Sequence, residues 1–167
     1  MLKKHQKYMD IALQEAEKAL AAGEFPVGCV LVYEGAVVAT GGRENSGPGG
    51  NEFDHAEIVA MRHLLDKKPG IDFGDVVVYS TLEPCLMCFS TLILNGFRTI
   101  VYGYEDVMGG GSKLELSRLP SLYASMDVKV IAGVRRDACL KLFQEFFRSD
   151  SNDYWRDSLL SRYTLEQ

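Results

Sequence analysis

The segment Asp75–Thr81, with its run Val76-Val77-Val78, constrains the fold most, because a strand this uniformly apolar is buried on both faces. Such a strand needs helices above and below it, and the chain supplies them. Met9, Leu13, Ala16 and Leu20 recur at helical spacing through Gln6–Ala22, with Gly23 as a stop. Val27–Tyr33 and Ala36–Thr40 are β-rich and flank a Glu34-Gly35 turn, which predicts a hairpin. A helix is expected over His55–Asp66, and a polar connection over Lys67–Gly74 leads into the apolar strand. A second helix is expected from Pro84 to Asn95, with Gly96 as its stop. A strand over Thr99–Tyr104, a short helix around Leu114–Arg118, a last strand over Val128–Val134 and helices over Asp137–Arg148 and Asp153–Tyr163 complete the order. This order predicts an α/β fold, a three-layer α/β/α sandwich around a five-stranded mixed sheet. Residues 1–167 are read as a single domain, with 149–167 as a C-terminal extension.

Two short pieces at expected helix starts carry chemistry. One is His55-Ala56-Glu57 and the other is Pro84-Cys85-Leu86-Met87-Cys88, with one strand between them. Cys85 and Cys88 are three apart, so both sulfurs can face one point across a helical turn. The free N–H groups and positive dipole end of a helix N-terminus favour thiolate over thiol. With His55 as a third ligand the set is one imidazole and two thiolates, leaving a fourth position for water, the composition of a catalytic zinc site. Glu57, two residues from His55, is placed to shuttle protons rather than to ligate. A Cys-x-x-Cys pair alone also fits a redox dithiol or half of a structural zinc site. A structural site would need a fourth Cys or His nearby, and the remaining candidates are poorly placed. Cys29 and Cys139 lie in apolar periodic segments and read as buried small hydrophobes. His5 belongs to the first helix, and His63 lies about 12 Å further along the helix that His55 begins.

The pairing of His-x-Glu with Pro-Cys-x-x-Cys is the known signature of zinc nucleobase deaminases. On these residues the chain resembles the cytidine/deoxycytidylate deaminase superfamily, and within it the bacterial tRNA adenosine deaminase type. Phe25-Pro26-Val27-Gly28, Thr81-Leu82-Glu83-Pro84-Cys85-Leu86-Met87-Cys88 and Phe146-Phe147-Arg148 are similar to that group's pocket strand, second motif and final helix. The resemblance implies one zinc ion per chain held by His55, Cys85 and Cys88, with Glu57 moving protons between water and the base. It further implies that Val27 and the Ala56 backbone border the base, that Asn45 hydrogen-bonds it, and that Phe147 stacks on it. A nucleobase-containing substrate, in tRNA or as a small molecule, and a homodimer follow from the same likeness. The apolar stretch Leu86–Phe97 and the Tyr154-Trp155 pair are candidates for the interface.

The chain departs from the tRNA-editing pattern around the site. Asp54 precedes His55, in the position of a helix N-cap. The loop Gly42–Asp54 is unusually rich in glycine, and the tail from Ser149 carries Asp150, Asp153, Asp157 and Glu166 beside Arg156 and Arg162. Net charge is −5 and the pI is about 5.2, which argues against a broad RNA-binding face. Two substrates therefore stand side by side. One is adenosine at the tRNA wobble position, converted to inosine. The other is a free base, nucleoside or nucleotide of the guanine, cytosine or cytidine type. The longest apolar run, Val27–Tyr33, is too short to span a bilayer, and Met1-Leu2-Lys3-Lys4 is followed by no apolar signal core. A cytoplasmic protein is expected.

Overall fold

The computed structural model describes residues 2–67 and 70–167. Met1, Lys68 and Pro69 lie outside it, so part of the connection expected over Lys67–Gly74 does too. The order is α1 (Leu2–Ala21), β1 (Gly28–Tyr33), β2 (Ala36–Gly42), α2 (Ala56–Lys67), β3 (Val77–Leu82), α3 (Leu86–Leu94), β4 (Thr99–Tyr104), α4 (Ser121–Ala124), β5 (Lys129–Ile131), α5 (Arg136–Arg148) and α6 (Leu159–Glu166). The five strands form one mixed sheet in the order β2-β1-β3-β4-β5. β1 runs antiparallel to β2 and β3, while β3, β4 and β5 are parallel. This is the expected α/β architecture. β3 is buried from Val78 to Leu82, as its run of valines requires.

Two neighbouring residue pairs of the hairpin show which helix covers which face. Gly28 pairs with Gly42 across the hairpin; a Cβ on Gly28 would run into the α1 backbone, and one on Gly42 would rest in ordinary contact with α1. Cys29 pairs with Gly41, and a Cβ on Gly41 would lie 2.5 Å from the Ala56 carbonyl oxygen and 2.6 Å from the Ala60 amide nitrogen of α2. Paired residues in a sheet point to the same side and successive residues to opposite sides. α1 and α2 therefore cover opposite faces. The small residues Gly41, Ala56 and Ala60 let α2 sit directly on the β2 backbone, which fixes the height of the helix that starts at the motif His55-Ala56-Glu57.

Three elements differ from the sequence expectation. The last strand is only Lys129–Ile131, because three residues find partners on β4 and Gly133 turns the chain at φ +77°. The short helix expected at Leu114–Arg118 is a single 3₁₀ turn over Leu116–Arg118, followed by α4. The C-terminal helix starts at Leu159, not near Asp153. Trp155 and Asp157 take left-handed backbone at φ 55° and 58°, and Ser158 caps the helix by accepting the Ser161 amide at 3.1 Å. Residues 150–158 thus form a strap of turns that packs Tyr154 against Phe25, Arg43 and Glu52. Among the described residues no helix is long and apolar enough to cross a membrane.

Candidate active site

The site lies beyond the carboxyl end of β3, where the sheet's connections change direction between β1 and β4, a usual place for ligands in α/β folds. Two helix starts meet there. Cys85 takes the N-cap position of α3 in extended conformation (φ −65°, ψ 171°), yet its side chain makes no capping bond. Its sulfur is free to face His55, just before α2. Cys88, one turn into α3, is fully buried. The Sγ atoms of Cys85 and Cys88 each lie 3.5 Å from His55 Nδ1. A tetrahedral zinc ion with ordinary Zn–S and Zn–N bond lengths sets its sulfur and nitrogen ligands about 3.6 Å apart. The donor chemistry and spacing fit that ion.

The electrostatics of the cluster point the same way. Hydrogen bonding from Cys88 pulls the Cys85 thiol down to about 4 against its burial, with His55 contributing in the same direction. His55 rises to about 9, its burial outweighed by the bond to Cys85 and by the charges of Glu57 and Cys85. Cys88 is pushed up by the same bond to Cys85 and by burial. One thiolate therefore suppresses the other, and both ionise together only with a cation between them. Glu57 is 3% exposed. Burial lifts its carboxyl above the usual range, and the neighbouring Cys85 adds to the rise. Its Oε1 accepts the Ser80 hydroxyl at 3.1 Å.

These groups open onto a cavity of about 320 Å³ that is mostly apolar. Val27, His55, Ala56, Glu57 and Cys85 line it. Asn45 and Phe147 are not among its lining residues. Asn45 sits in left-handed backbone at φ 55°, and its side-chain amide donates to Asp54 Oδ2 at 2.8 Å, tying the glycine-rich loop to itself. Phe147 belongs to an aromatic cluster beneath the pocket, 5.9 Å from the Phe25 ring and 5.5 Å from Phe146. Asp54 is occupied by Asn45, Asn51 and Arg62. His5 bonds the Tyr79 hydroxyl, His63 meets the Thr40 carbonyl, and Cys29 and Cys139 are fully buried.

The pocket also contains residues that sequence reasoning did not place there. Arg43, 3% exposed, sits at the base of the glycine-rich loop and reaches the carbonyls of Glu44, Asn51 and Asp54. Glu52, Asp106, Met108 and Leu160 contribute, and so do Tyr154 and Trp155 of the strap. The aromatic pair therefore walls the pocket. The sequence signal for it was two adjacent aromatics in an otherwise polar tail. The opposite wall is anchored by Glu83, 3% exposed, which accepts the Ser112 hydroxyl at 2.5 Å and the Asp106 amide at 3.2 Å. Gly111 donates to the Pro84 carbonyl at 2.9 Å, pressing the triple-glycine loop against the start of α3.

Residues 2–104 match the cytidine and deoxycytidylate deaminase zinc-binding region. The chain belongs to this deaminase family. It is 34% identical over 159 residues to tRNA-specific adenosine deaminase 2 of Xenopus tropicalis, covering 90% of this chain and 93% of that protein. It is 31% identical over 143 residues to the tRNA-specific adenosine deaminase of Streptococcus pyogenes serotype M18, covering 84% and 88%. A solved structure from work on A-to-I editing by tRNA:A34 deaminases superposes with a TM-score of 0.69 at 27% identity, covering 81% of this chain and 98% of that one. The deaminase chain is thus a zinc-dependent enzyme of the hydrolase type with the cytidine deaminase fold.

Proposed function

We propose that this deaminase converts adenosine to inosine at the wobble position of tRNA, in the cytoplasm. Residues 1–167 act as one domain, and 149–167 form an extension that walls the pocket. The carrying observation is the His55–Cys85–Cys88 cluster beside a buried Glu57, opening on a cavity sized for one base, in a chain matching tRNA-specific adenosine deaminases along most of its length. A base enters such a pocket only when it is turned out of its stack.

His55, Cys85 and Cys88 hold the zinc ion. Zinc, when bound, supplies the Lewis acidity that lets water attack at neutral pH. Glu57 takes a proton from the attacking water, and that oxygen bonds to the ring carbon carrying the amine. The carboxyl then protonates the ring nitrogen, takes the remaining proton from the newly bonded hydroxyl and passes it to the departing amine, leaving the carbonyl. Water and adenosine give inosine and ammonia. A carboxyl raised by burial suits both directions of transfer. Ser80 fixes its orientation through Oε1. Val27 and Ala56 border the base, and the aromatic strap keeps bulk water out.

We also read the protein as a homodimer. Between α2 and α3 runs an apolar groove formed by Ile58, Met61, Leu65, Phe73 and Phe97, with Leu94 and Leu86 exposed nearby. A free base, nucleoside or nucleotide is the second substrate reading. It is favoured by the exposed acids Glu52, Asp150, Asp153 and Asp157 on or near the strap, which repel an RNA backbone. The test is ammonia release by zinc-loaded protein, with inosine measured directly. It compares a tRNA carrying wobble adenosine with a panel of free adenine, guanine and cytosine compounds. Inosine in tRNA alone is the expected result. Release from a free compound and none from tRNA would overturn the tRNA assignment.

A further inference from the structure

The proposed chemistry uses one ring nitrogen of His55, and the other is also committed. His55 Nε2 lies 3.1 Å from Glu52 Oε2. A carboxylate only accepts, so Nε2 carries a proton, and with zinc bound Nδ1 presents its lone pair to the side where the two sulfurs lie. Glu52 stands on the glycine-rich loop with 61% of its side chain exposed, and an isolated carboxylate there would be free to swing away. It is held from two sides. The same Oε2 accepts the Tyr154 hydroxyl at 2.9 Å and lies 3.3 Å from Arg43 Nη2.

Both holders are themselves fixed. Arg43 is buried and spends its other contacts on backbone carbonyls of the loop. The Tyr154 ring lies 5.2 Å from Phe25, and the Arg43 guanidinium stands 5.7 Å over its face. Tyr154 comes from the C-terminal strap, 102 positions beyond Glu52. A chain of contacts therefore runs from the strap to the metal cluster: Tyr154 Oη, Glu52 Oε2, His55 Nε2, and then Nδ1.

We propose that Glu52 and Tyr154 are positioning residues for the metal centre. Tyr154 orients Glu52, and Glu52 fixes the tautomer and ring plane of His55, so that strap closure and metal affinity are one property. This rests on reading His55 as a zinc ligand. A ligating imidazole whose distal N–H bonds a carboxylate is the better oriented and more basic donor, and removing such a partner typically weakens metal binding about 10–100-fold.

The experiment measures zinc affinity of the full chain by competition with a chromophoric chelator, together with the visible spectrum of the cobalt(II)-substituted protein. The variants are Glu52→Gln, Tyr154→Phe, the double variant, and Phe53→Ala as a control on an exposed neighbour in the same loop. Tyr154→Phe keeps the ring against Phe25 and loses only the hydroxyl, so a purely structural role would leave zinc affinity unchanged. The expected result is a loss of about 10–100-fold for Glu52→Gln and a smaller loss for Tyr154→Phe. The double variant should be no weaker than Glu52→Gln alone, and Phe53→Ala should match the wild type. Wild-type affinity in either single variant, or multiplying losses in the double, would overturn the relay while leaving the ligand set intact. Wild-type protein that fails to hold one zinc per chain would overturn the ligand reading itself, and the relay with it.

Discussion

Gly41→Ala tests how the fold holds the catalytic helix. The new Cβ would sit 2.5 Å from the Ala56 carbonyl oxygen and 2.6 Å from the Ala60 amide nitrogen, where ordinary contact begins at 3.4 Å. Both obstacles are backbone, so no side chain can swing aside, and α2 has to recede by about 0.9 Å from the sheet. Overpacking of this kind costs about 1–3 kcal/mol. For a domain of this size that lowers the melting temperature by roughly 2–12 °C. The start of α2 moves with the helix, carrying Glu57 and shifting His55, and a misplacement near 1 Å can cost about 100-fold in rate. Calorimetry, zinc stoichiometry and initial rates of ammonia release measure the three effects. Gly47→Ala is the control, since nothing lies within 4 Å of its added Cβ. A Gly41→Ala protein with wild-type melting temperature and rate would show that α2 is not seated on β2 as described, and the argument would fail.

Three further outcomes follow from the site and its surroundings. Glu57→Ala should abolish turnover, with zinc still bound at one per chain by elemental analysis; zinc loss would contradict its role as a proton carrier rather than a ligand. Cys88→Ser should lower zinc occupancy, since a hydroxyl is a harder and far less acidic donor than a thiol, and full occupancy would sink its ligand assignment. Glu105 is held at about 2, first by the two hydrogen bonds from Arg136 and then by the Tyr163 hydroxyl, against an ordinary 4.5. Its folded pKa lies below its unfolded one, so its contribution is fully present above about pH 4.5 and is lost as pH falls toward 2. After discounting for partial solvent exposure, Glu105→Gln should cost about 1–2 kcal/mol at pH 7. The difference in denaturant midpoint should vanish near pH 2, and an undiminished gap there would refute the pairing.

Much of the architecture was legible in the residues because it rests on local periodicity. The valine run of β3 announces a strand covered on both sides, and the helical spacing of Met9, Leu13, Ala16 and Leu20 announces α1. The zinc cluster was legible for a related reason. Cys85 and Cys88 share one helical turn, and His55 and Glu57 share one helix start, so only the meeting of two helix ends remained to be supplied. What failed was local pattern without local cause. Val128–Val134 looks like a full strand, but its length is set by how far β4 runs beside it, and Asp153–Tyr163 looks helical until the left-handed Trp155 and Asp157 break it.

Much of the pocket wall was not legible in the sequence. The Asn45 amide donates to Asp54, which the folding back of the glycine-rich loop brings against it. Arg43, Glu52 and Tyr154 carry no motif, and they matter because the strap that carries Tyr154, more than a hundred residues further along the chain, closes over the loop that holds the other two. By itself the sequence determined the chemistry, a thiolate and imidazole cluster with a carboxylate beside it, because those donors are fixed by spacing along single helical turns. The tertiary structure alone decided which side chains surround the substrate and orient the ligand, because those contacts join segments whose separation in sequence contains no information about their distance in space.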